Sequence, residues 1–191
     1  MTSDLKKAID VLKKGGVIVF PTDTAFGIGC RIDDEKAIKR LFEIRKRPES
    51  KATPVLFSSI KQVEEYVLPF GLSVRELMEK HWPGGLTIVL PANLEKVPSL
   101  VRGGGLNIGV RIPDHVDTQA LIKMVDAPIL GPSANFHGDP TPYSYNDLNR
   151  DLISKVDFVL NGETKTRISS TIIDCSVNPW RVLRFGAVRD I

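Results

Sequence analysis

Four short groups of polar residues in this chain have the types and spacing needed to bind a small anionic ligand. Each lies at or just beyond an apolar stretch. They are Thr22-Asp23-Thr24 with Gly27 and Gly29; Arg45-Lys46-Arg47-Pro48; Ser133 and Asn135 with Gly138-Asp139-Pro140-Thr141-Pro142; and Ser169–Asp174 with Arg111 and Arg184. In α/β proteins the segments that follow strands usually carry the ligand contacts. The sequence therefore predicts a site of hydroxyls, amides and guanidinium groups at the strand ends.

Each group also has an ordinary structural explanation. The threonines can form a plain turn between a strand and a helix, and the cations of 45–47 can be solvated charges that complement a helix dipole. The prolines around Ser133 are typical of turns. Arg111 stands in an apolar strand sequence, Val110-Arg111-Ile112, so it needs an anionic partner. That partner is either an internal Asp or Glu, or a substrate carboxylate or phosphate, which a guanidinium can bind with two hydrogen bonds.

Several familiar motifs are missing from the sequence. It contains no G-x-x-x-x-G-K-[ST] phosphate loop, no G-x-G-x-x-G after a strand, no H-E-x-x-H and no G-x-S-x-G. The three histidines do not have metal-ligand spacing, and Cys30 and Cys175 are too far apart for a disulfide scaffold. We therefore expect no protein-held metal and none of the common nucleotide, zinc or hydrolase machinery.

The composition is that of an ordinary globular protein. The 191 residues are 42% hydrophobic and 26% charged, and the net charge is +3. This length predicts one domain spanning 1–191. There is no apolar run of about 18 residues and no signal-peptide core, so we expect a cytoplasmic protein with no membrane association. The small positive charge is compatible with an anionic ligand, but it is too small to indicate nucleic acid.

Helical and strand patterns alternate along the chain. Apolar periodicity predicts helices around 5–12, 34–47, 60–67, 74–82, 121–125 and 148–153. Short apolar runs predict strands at 17–20, 54–57, 86–91, 107–112, 128–131, 156–160, 170–174 and 181–185. Several connections are too short for crossover helices. The predicted fold class is therefore α/β, a single domain with a twisted mixed sheet and helices on its faces.

Taken in order, the sequence blocks resemble those of the YrdC-like family of threonylcarbamoyl-adenylate synthases, over nearly the whole chain. The matching blocks are GGVIVFPTDTAFGIG, FEIRKRP, PGGLTIVLP, IGVRIP, GPSANFHGDPTP, STIID and VLRFG. The ordered set is far more specific than any one block. The resemblance implies a YrdC-like fold around a concave basic cavity, in its short form without the C-terminal domain of longer relatives.

The resemblance also implies a nucleotidyltransferase. Such enzymes form threonylcarbamoyl-AMP and pyrophosphate from L-threonine, bicarbonate or CO2, and ATP accompanied by Mg²⁺. A downstream threonylcarbamoyl-transferase then modifies tRNA, and weak direct binding of tRNA to the synthase is also expected. Two alternatives remain open: an RNA-binding module without this catalysis, and a paralogue acting on another carbamoyl or nucleotide substrate.

Residue roles follow from the resemblance, motif by motif. It implies catalytic roles for Arg45 and Arg47, threonine contacts from Thr24, Arg111 and Ser170, and ATP contacts from Arg47, Ser133, Asn135, Thr141 and Arg184. Departures from the family pattern put substrate choice in question. Arg45 stands where a Lys is usual, two extra residues lie between Pro48 and Thr53, and Phe26, Ser58 and Asn107 replace other residue types.

Overall fold

The computed structural model describes residues 2–191 and confirms the α/β class. The helices are α1 (Ser3–Lys13), α2 (Glu35–Arg45), α3 (Ile60–Glu64), α4 (Leu72–His81), α5 (Val116–Val125) and α6 (Arg150–Ile153), with a 3-10 turn at Tyr145–Asp147. The strands are β1 (Ile18–Pro21), β2 (Phe26–Gly29), β3 (Val55–Leu56), β4 (Leu86–Pro91), β5 (Asn107–Arg111), β6 (Ile129–Leu130), β7 (Phe158–Val159), β8 (Thr171–Asp174) and β9 (Arg181–Arg184). Within this range no helix combines the length and apolar character needed to cross a membrane.

The strands pair in mixed directions, as predicted, but they form two sheets rather than one. The first sheet has the order β2-β1-β7 and the second has the order β6-β3-β5-β4-β8-β9. In the first sheet β1 runs antiparallel to β2 and parallel to β7. In the second, β3 is parallel to β5 and β4 is parallel to β8, whereas β4 and β5 are antiparallel.

Strand β2 differs from the expectation for 22–29, which was a turn that leads into a helix. The chain instead reverses at Thr22–Ala25 and pairs back on β1, with Pro21 opposite Phe26 and Ile18 opposite Gly29. Phe26 and Ile28 are fully buried. Gly27 between them and Gly29 after them hide this apolar pattern in the sequence.

Backbone hydrogen bonds join the two sheets where β2 meets the segment that contains β6. The amide of Ile28 donates to Pro132 O at 2.9 Å, and the amide of Leu130 donates to Cys30 O at 2.9 Å. A Cβ on Gly29 would lie 2.1 Å from Leu130 O, so only glycine allows this approach. The junction places the loops of both sheets around one concave surface.

Two apolar cores hold the helices against the sheets. Helices α1 and α5 pack with Ile18 and Phe20 of β1 in one core. Helices α2 and α4 pack with β2 and the centre of the larger sheet in the other. Helix α2 begins at the predicted cap, where the Asp34 carboxylate accepts from Ala37 N at 2.9 Å. Its last residue is Arg45, and the next residue, Lys46, has a left-handed φ of 51° that ends the helix.

Candidate functional site

A cavity of about 480 Å³ opens between the two sheets and is the centre of the candidate site. Its wall includes eight of the nine predicted site residues: Thr24, Arg45, Arg47, Arg111, Ser133, Thr141, Ser170 and Arg184. Asn135, the ninth, is not on the wall. Residues far apart in the sequence are therefore brought together around one cavity, including those expected to contact threonine and those expected to contact ATP.

The turn between β1 and β2 contributes Thr22, Asp23 and Thr24. The Thr22 hydroxyl donates to Ala25 O at 2.7 Å and accepts from the amides of Thr24 and Ala25 at 3.2 Å. All three side chains are buried. This hydroxyl-supported turn orients Asp23 and Thr24 towards the end of β5.

Arg111, the last residue of β5, binds this turn through an internal ion pair. Its Nη2 donates to Asp23 Oδ1 at 2.5 Å, its Nη1 donates to Thr24 Oγ1 at 2.8 Å, and its Nε donates to Gly84 O at 2.9 Å. Burial lowers the pKa of Arg111, and the Asp23 carboxylate opposes that shift. Of the two partners left open by the sequence, the structure provides the internal acid. These three bonds use three of the five guanidinium N–H groups, and the residue still lines the cavity.

Arg45 is a buried cation that the protein satisfies only in part. Its side chain is 3% exposed, its Nε donates to Asn135 O at 3.0 Å, and its Nη2 donates to Asn135 Oδ1 at 3.4 Å. Nη1 is buried and has no hydrogen-bond partner among residues 2–191. Burial, reinforced by repulsion from Arg47, lowers the pKa of Arg45 to about 10. A buried cation in a cavity wall is stabilised by an anion that fills the cavity.

Asn135 supports Arg45 from behind the cavity wall. Its Nδ2 donates to Asp139 O at 2.7 Å and to Phe136 O at 3.0 Å. These two bonds fix the amide so that its Oδ1 faces the guanidinium. The predicted direct contact between Asn135 and ATP therefore stays a prediction, whereas its contact with Arg45 is present.

Arg47 anchors the chain that follows α2. Its Nε donates to Lys51 O at 3.1 Å, and its Nη2 donates to Ala52 O. Burial lowers the pKa of this half-buried guanidinium. Arg47 thus lines the cavity and also holds 51–52 against the helix end.

Ser133 and Thr141 reach the cavity through the junction of the sheets. Ser133 forms a β-bridge with Gly27, and the amide of Phe26 donates to Pro142 O at 2.9 Å. Both residues are therefore fixed by backbone pairing with β2. Both residues line the cavity.

Ser170 and Arg184 form a pair at the neighbouring strands β8 and β9. Arg184 donates to Ser170 O through Nη2 at 2.8 Å and to Ser170 Oγ at 3.2 Å. The same hydroxyl accepts from Thr87 Oγ1 of β4 at 3.0 Å. Burial lowers the pKa of Arg184. The strand register thus gathers one guanidinium and two hydroxyls at this wall.

Three further polar residues of the wall were not among the predicted site residues: Thr53, Thr87 and Arg102. Thr87 lies within an apolar strand sequence. Only the pairing of that strand in the sheet shows that Thr87 lines the cavity. Arg102 precedes Gly103-Gly104-Gly105, and this Arg–Gly combination was a usable signal for a loop at a ligand. Its Nε donates to Val97 O at 3.1 Å. Thr53 has no sequence signal beyond the proline that follows it.

The charged side chains on the wall are the five arginines 45, 47, 102, 111 and 184. This set suits phosphate and carboxylate oxygens. Among residues 2–191, no group of three or more His, Cys, Asp or Glu side chains is placed to hold a metal ion.

The chain is similar to several known proteins over most of its length. The Sua5/YciO/YrdC family model, described as telomere recombination, matches residues 10–186. The threonylcarbamoyl-AMP synthase of Pyrococcus abyssi is 34% identical over 96% of this chain and 54% of its own length. The enzyme of the same name from Vibrio cholerae is 34% identical over 87% of this chain and 89% of its own length.

Solved structures show the same fold. Sua5 of P. abyssi complexed with L-threonine superposes with a TM-score of 0.91 at 34% identity, covering 95% of this chain and 54% of that one. Escherichia coli YciO superposes with a TM-score of 0.87 at 28% identity, covering 97% of this chain and 90% of that one. The chain spans about half the length of the first curated relatives, at 54% of each. From the family match and the shared fold, this chain belongs to the Sua5/YciO/YrdC family.

Proposed function

We propose that this protein is a threonylcarbamoyl-AMP synthase, which joins L-threonine, CO2 from bicarbonate, and the AMP part of ATP, and releases pyrophosphate. The observation that carries this proposal is the buried guanidinium of Arg45, whose Nη1 has no partner among residues 2–191, in a cavity wall with four other arginines. Such a cavity favours several anionic groups held close together. The names of the relatives from P. abyssi and V. cholerae support the same reaction.

The chemistry needs positioning more than covalent help from the protein. The threonine amine attacks CO2, and loss of one proton gives a carbamate. A carbamate oxygen then attacks the α-phosphorus of ATP, and the bond from that phosphorus to the bridging oxygen breaks. The electron pair leaves with pyrophosphate. Holding two anions in contact and stabilising charge on the phosphoryl oxygens supply most of the acceleration in such transfers.

The wall divides into regions suited to the two substrates. We assign the threonine contacts to Thr24, Arg111 and Ser170, and L-threonine is the ligand named for the complex of P. abyssi Sua5. Arg47, Ser133, Thr141 and Arg184 bind the nucleotide, and Arg45 with Arg47 stabilises charge at the phosphorus. Asn135 contributes by orienting Arg45, through the contact at 3.0 Å.

Mg²⁺ enters as part of the substrate MgATP. The charged wall residues are arginines, which repel a cation, so the wall does not fit a protein-held magnesium ion. Phosphate oxygens and water are sufficient ligands for Mg²⁺. The protein then binds the remaining negative charge of the nucleotide.

The proposal places the protein early in tRNA modification. Threonylcarbamoyl-AMP is a mixed anhydride, so its natural consumer is a transferase that passes the threonylcarbamoyl group to tRNA. The first step consumes ATP and the second modifies tRNA, and the cytoplasm is the compartment we assign to both. Direct tRNA binding is weak in this proposal, since the net charge is only +3.

The test is pyrophosphate release by the purified protein. We expect release only when ATP, Mg²⁺, L-threonine and bicarbonate are all present, and loss of release when any one is omitted. Release that is independent of threonine would contradict the proposal and indicate a paralogue with another substrate. Stabilisation by structured RNA but not by MgATP with threonine would indicate an RNA-binding module.

A further inference from the structure

Thr171 is a fully buried residue next to the cavity wall, and its hydroxyl makes three hydrogen bonds to one short segment. It is the first residue of β8 and is 0% exposed. Its Oγ1 accepts from Gly186 N at 2.8 Å and from Val188 N at 3.1 Å, and it donates to Val188 O. A threonine hydroxyl has one donor and two acceptor sites, so all of them are used. The hydroxyl therefore ties the start of β8 to the chain that follows β9.

This segment, 186–188, also packs against the backbone of the cavity wall. The amide of Ala187 donates to Ser169 O at 2.9 Å. A Cβ on Gly186 would lie 2.0 Å from the same carbonyl oxygen, so the two backbones are in close contact that only glycine allows. Three consecutive residues are thus fixed against 169–171.

The pairing of β9 does not by itself fix the guanidinium of Arg184. Strand β9 is the last in the order of its sheet, and its register on β8 is irregular: Ile172 lies opposite Arg184, whereas Ile173 lies opposite Val182. The extra residue is Leu183. Successive residues of a regular strand point to opposite faces, yet Leu183 and Arg184 both line the cavity, as a bulge allows. Because β9 ends there, the direction of Arg184 depends on how the following residues are held.

We propose that Thr171 is a positioning residue that holds Arg184 in place for binding of the nucleotide. Arg184 donates to Ser170 O through Nε at 3.0 Å and through Nη2 at 2.8 Å, so its guanidinium follows the backbone at 170. Thr171 fixes that backbone from the next position in the chain. Through 186–188 it also fixes the chain two residues beyond Arg184. The inference rests on the proposed function for the identity of the nucleotide.

Thr171→Val tests the proposal, because valine keeps the shape and removes the hydroxyl. MgATP is titrated into the parent protein and the variant by calorimetry at a temperature where both are folded, and the melting temperature is measured without ligand. We expect MgATP affinity to fall about 10-fold or more, since a small displacement of a binding group has an effect of this size. The melting temperature should also fall, because the partners of the hydroxyl at 186 and 188 are buried without it. A lower melting temperature with unchanged affinity would show a purely structural role and overturn the proposal.

The pair Thr171→Ser and Thr171→Ala separates the hydroxyl from the packing of the methyl group. Both variants lose the methyl, and only serine keeps the hydroxyl. We expect serine to restore most of the parent affinity and to bind MgATP about 10-fold more tightly than alanine. Equal affinities would overturn the proposal even if Thr171→Val failed to fold.

Leu12→Ala is the matched stability control. Leu12 of α1 is fully buried in the core that α1 and α5 form with β1. Its truncation leaves a void and should lower the melting temperature. MgATP affinity should stay equal to that of the parent. A loss of affinity as large as that of Thr171→Val would show that any destabilisation weakens binding, and the proposal would fail.

A double-mutant cycle with Arg184→Met tests the route through which Thr171 acts. Arg184→Met alone should weaken MgATP binding, because it removes the guanidinium. Adding Thr171→Val to that variant should change the affinity by less than about twofold, because the group to be positioned is gone. Losses that add in full would show that Thr171 does not act through Arg184 and would overturn the proposal.

The outcomes for Thr171 and for the proposed function are distinguishable. A parent protein that binds MgATP but releases no pyrophosphate with threonine contradicts the proposed function, and the MgATP titrations still decide the role of Thr171. A parent that does not bind MgATP contradicts both, because Arg184 then has no nucleotide to bind.

Discussion

Three buried or half-buried arginines make different contacts in this site and therefore have different roles. Arg111 is bound by Asp23, Thr24 and Gly84, so it is a structural link as well as a wall residue. Arg47 is bound by backbone carbonyls. Arg45 retains an unpartnered Nη1 within the described residues. The same side-chain type therefore supplies rigidity at one position and binding capacity at another.

Arg45→Met should separate binding from stability. Methionine keeps the apolar stem and removes the charge, so MgATP affinity should fall about 10- to 100-fold through loss of charge-assisted bonds. The ligand-free melting temperature should stay equal or rise, because a buried cation with an incomplete set of partners is removed. Calorimetric titration and thermal unfolding measure the two effects. Unchanged MgATP affinity would remove Arg45 from the nucleotide site.

Asp23→Ala should lower the stability of the fold, in contrast to Arg45→Met. It leaves the Arg111 guanidinium buried without its carboxylate, and breaking such a pair costs about 3–5 kcal/mol. Urea unfolding at neutral pH measures this loss.

The double variant Asp23→Ala with Arg111→Met is the control for that measurement. It removes both charges and should recover much of the stability while staying inactive in pyrophosphate release. Equal stability of the parent and Asp23→Ala would show that the 2.5 Å contact contributes little to folding.

At the scale of elements, the loop 98–105 and the segment 50–53 position each other. Gly103 has a φ of +59°, and a Cβ there would lie 2.6 Å from Ala52 N and 2.7 Å from Ser50 O. The amide of Thr53 also donates to Val101 O in this loop. Arg47 binds the carbonyls of Lys51 and Ala52 in this segment. The position of the loop therefore affects the position of Arg47 on the cavity wall.

Gly103→Ala and Gly104→Ala form a matched pair for this contact. Both glycines have positive φ, +59° and +77°, but a Cβ on Gly104 would meet nothing within 4 Å. Both variants carry the backbone cost of about 1 kcal/mol. Only Gly103→Ala should also displace 50–53 and raise KM for ATP several-fold. Equal KM values in the two variants would contradict the positioning role.

At the scale of the whole molecule, the cavity exists because two sheets meet. Thr24 follows β1 of the three-stranded sheet, whereas Arg111 and Ser170 belong to strands β5 and β8 of the six-stranded sheet or their ends. The Arg111–Thr24 bond at 2.8 Å connects the two groups. A ligand in the cavity touches both sheets, so its binding should stabilise the complete fold.

Gly29→Ala tests the junction on which this shape depends. The added Cβ would lie 2.1 Å from Leu130 O, so the two backbones must separate. We expect a loss of about 1–3 kcal/mol in the free energy of unfolding, together with weaker ligand binding. Gly71→Ala is the control, because a Cβ there meets nothing within 4 Å. A Gly29→Ala variant as stable as Gly71→Ala would show that the sheets can move apart freely.

Much of the element pattern was predictable from the chain alone. The cap at Asp34 and the end of α2 before Pro48 follow from local rules of helix termini, and β4 begins and ends where its apolar run does. Strand β2 was missed because it is four residues long and half glycine. Its stability comes from pairing with β1 and with 130–134, which a local pattern does not encode.

The sequence by itself determined the family, the α/β class and most of the polar groups that meet, since ordered motif blocks and apolar periodicity are properties of the chain. Only the tertiary structure decided how those groups are used: Arg111 is paired with Asp23, and Asn135 supports Arg45. Hydrogen-bond partners and burial are set by contacts between residues dozens of positions apart. They depend on how the two sheets contact each other, and no single segment of the sequence determines that contact.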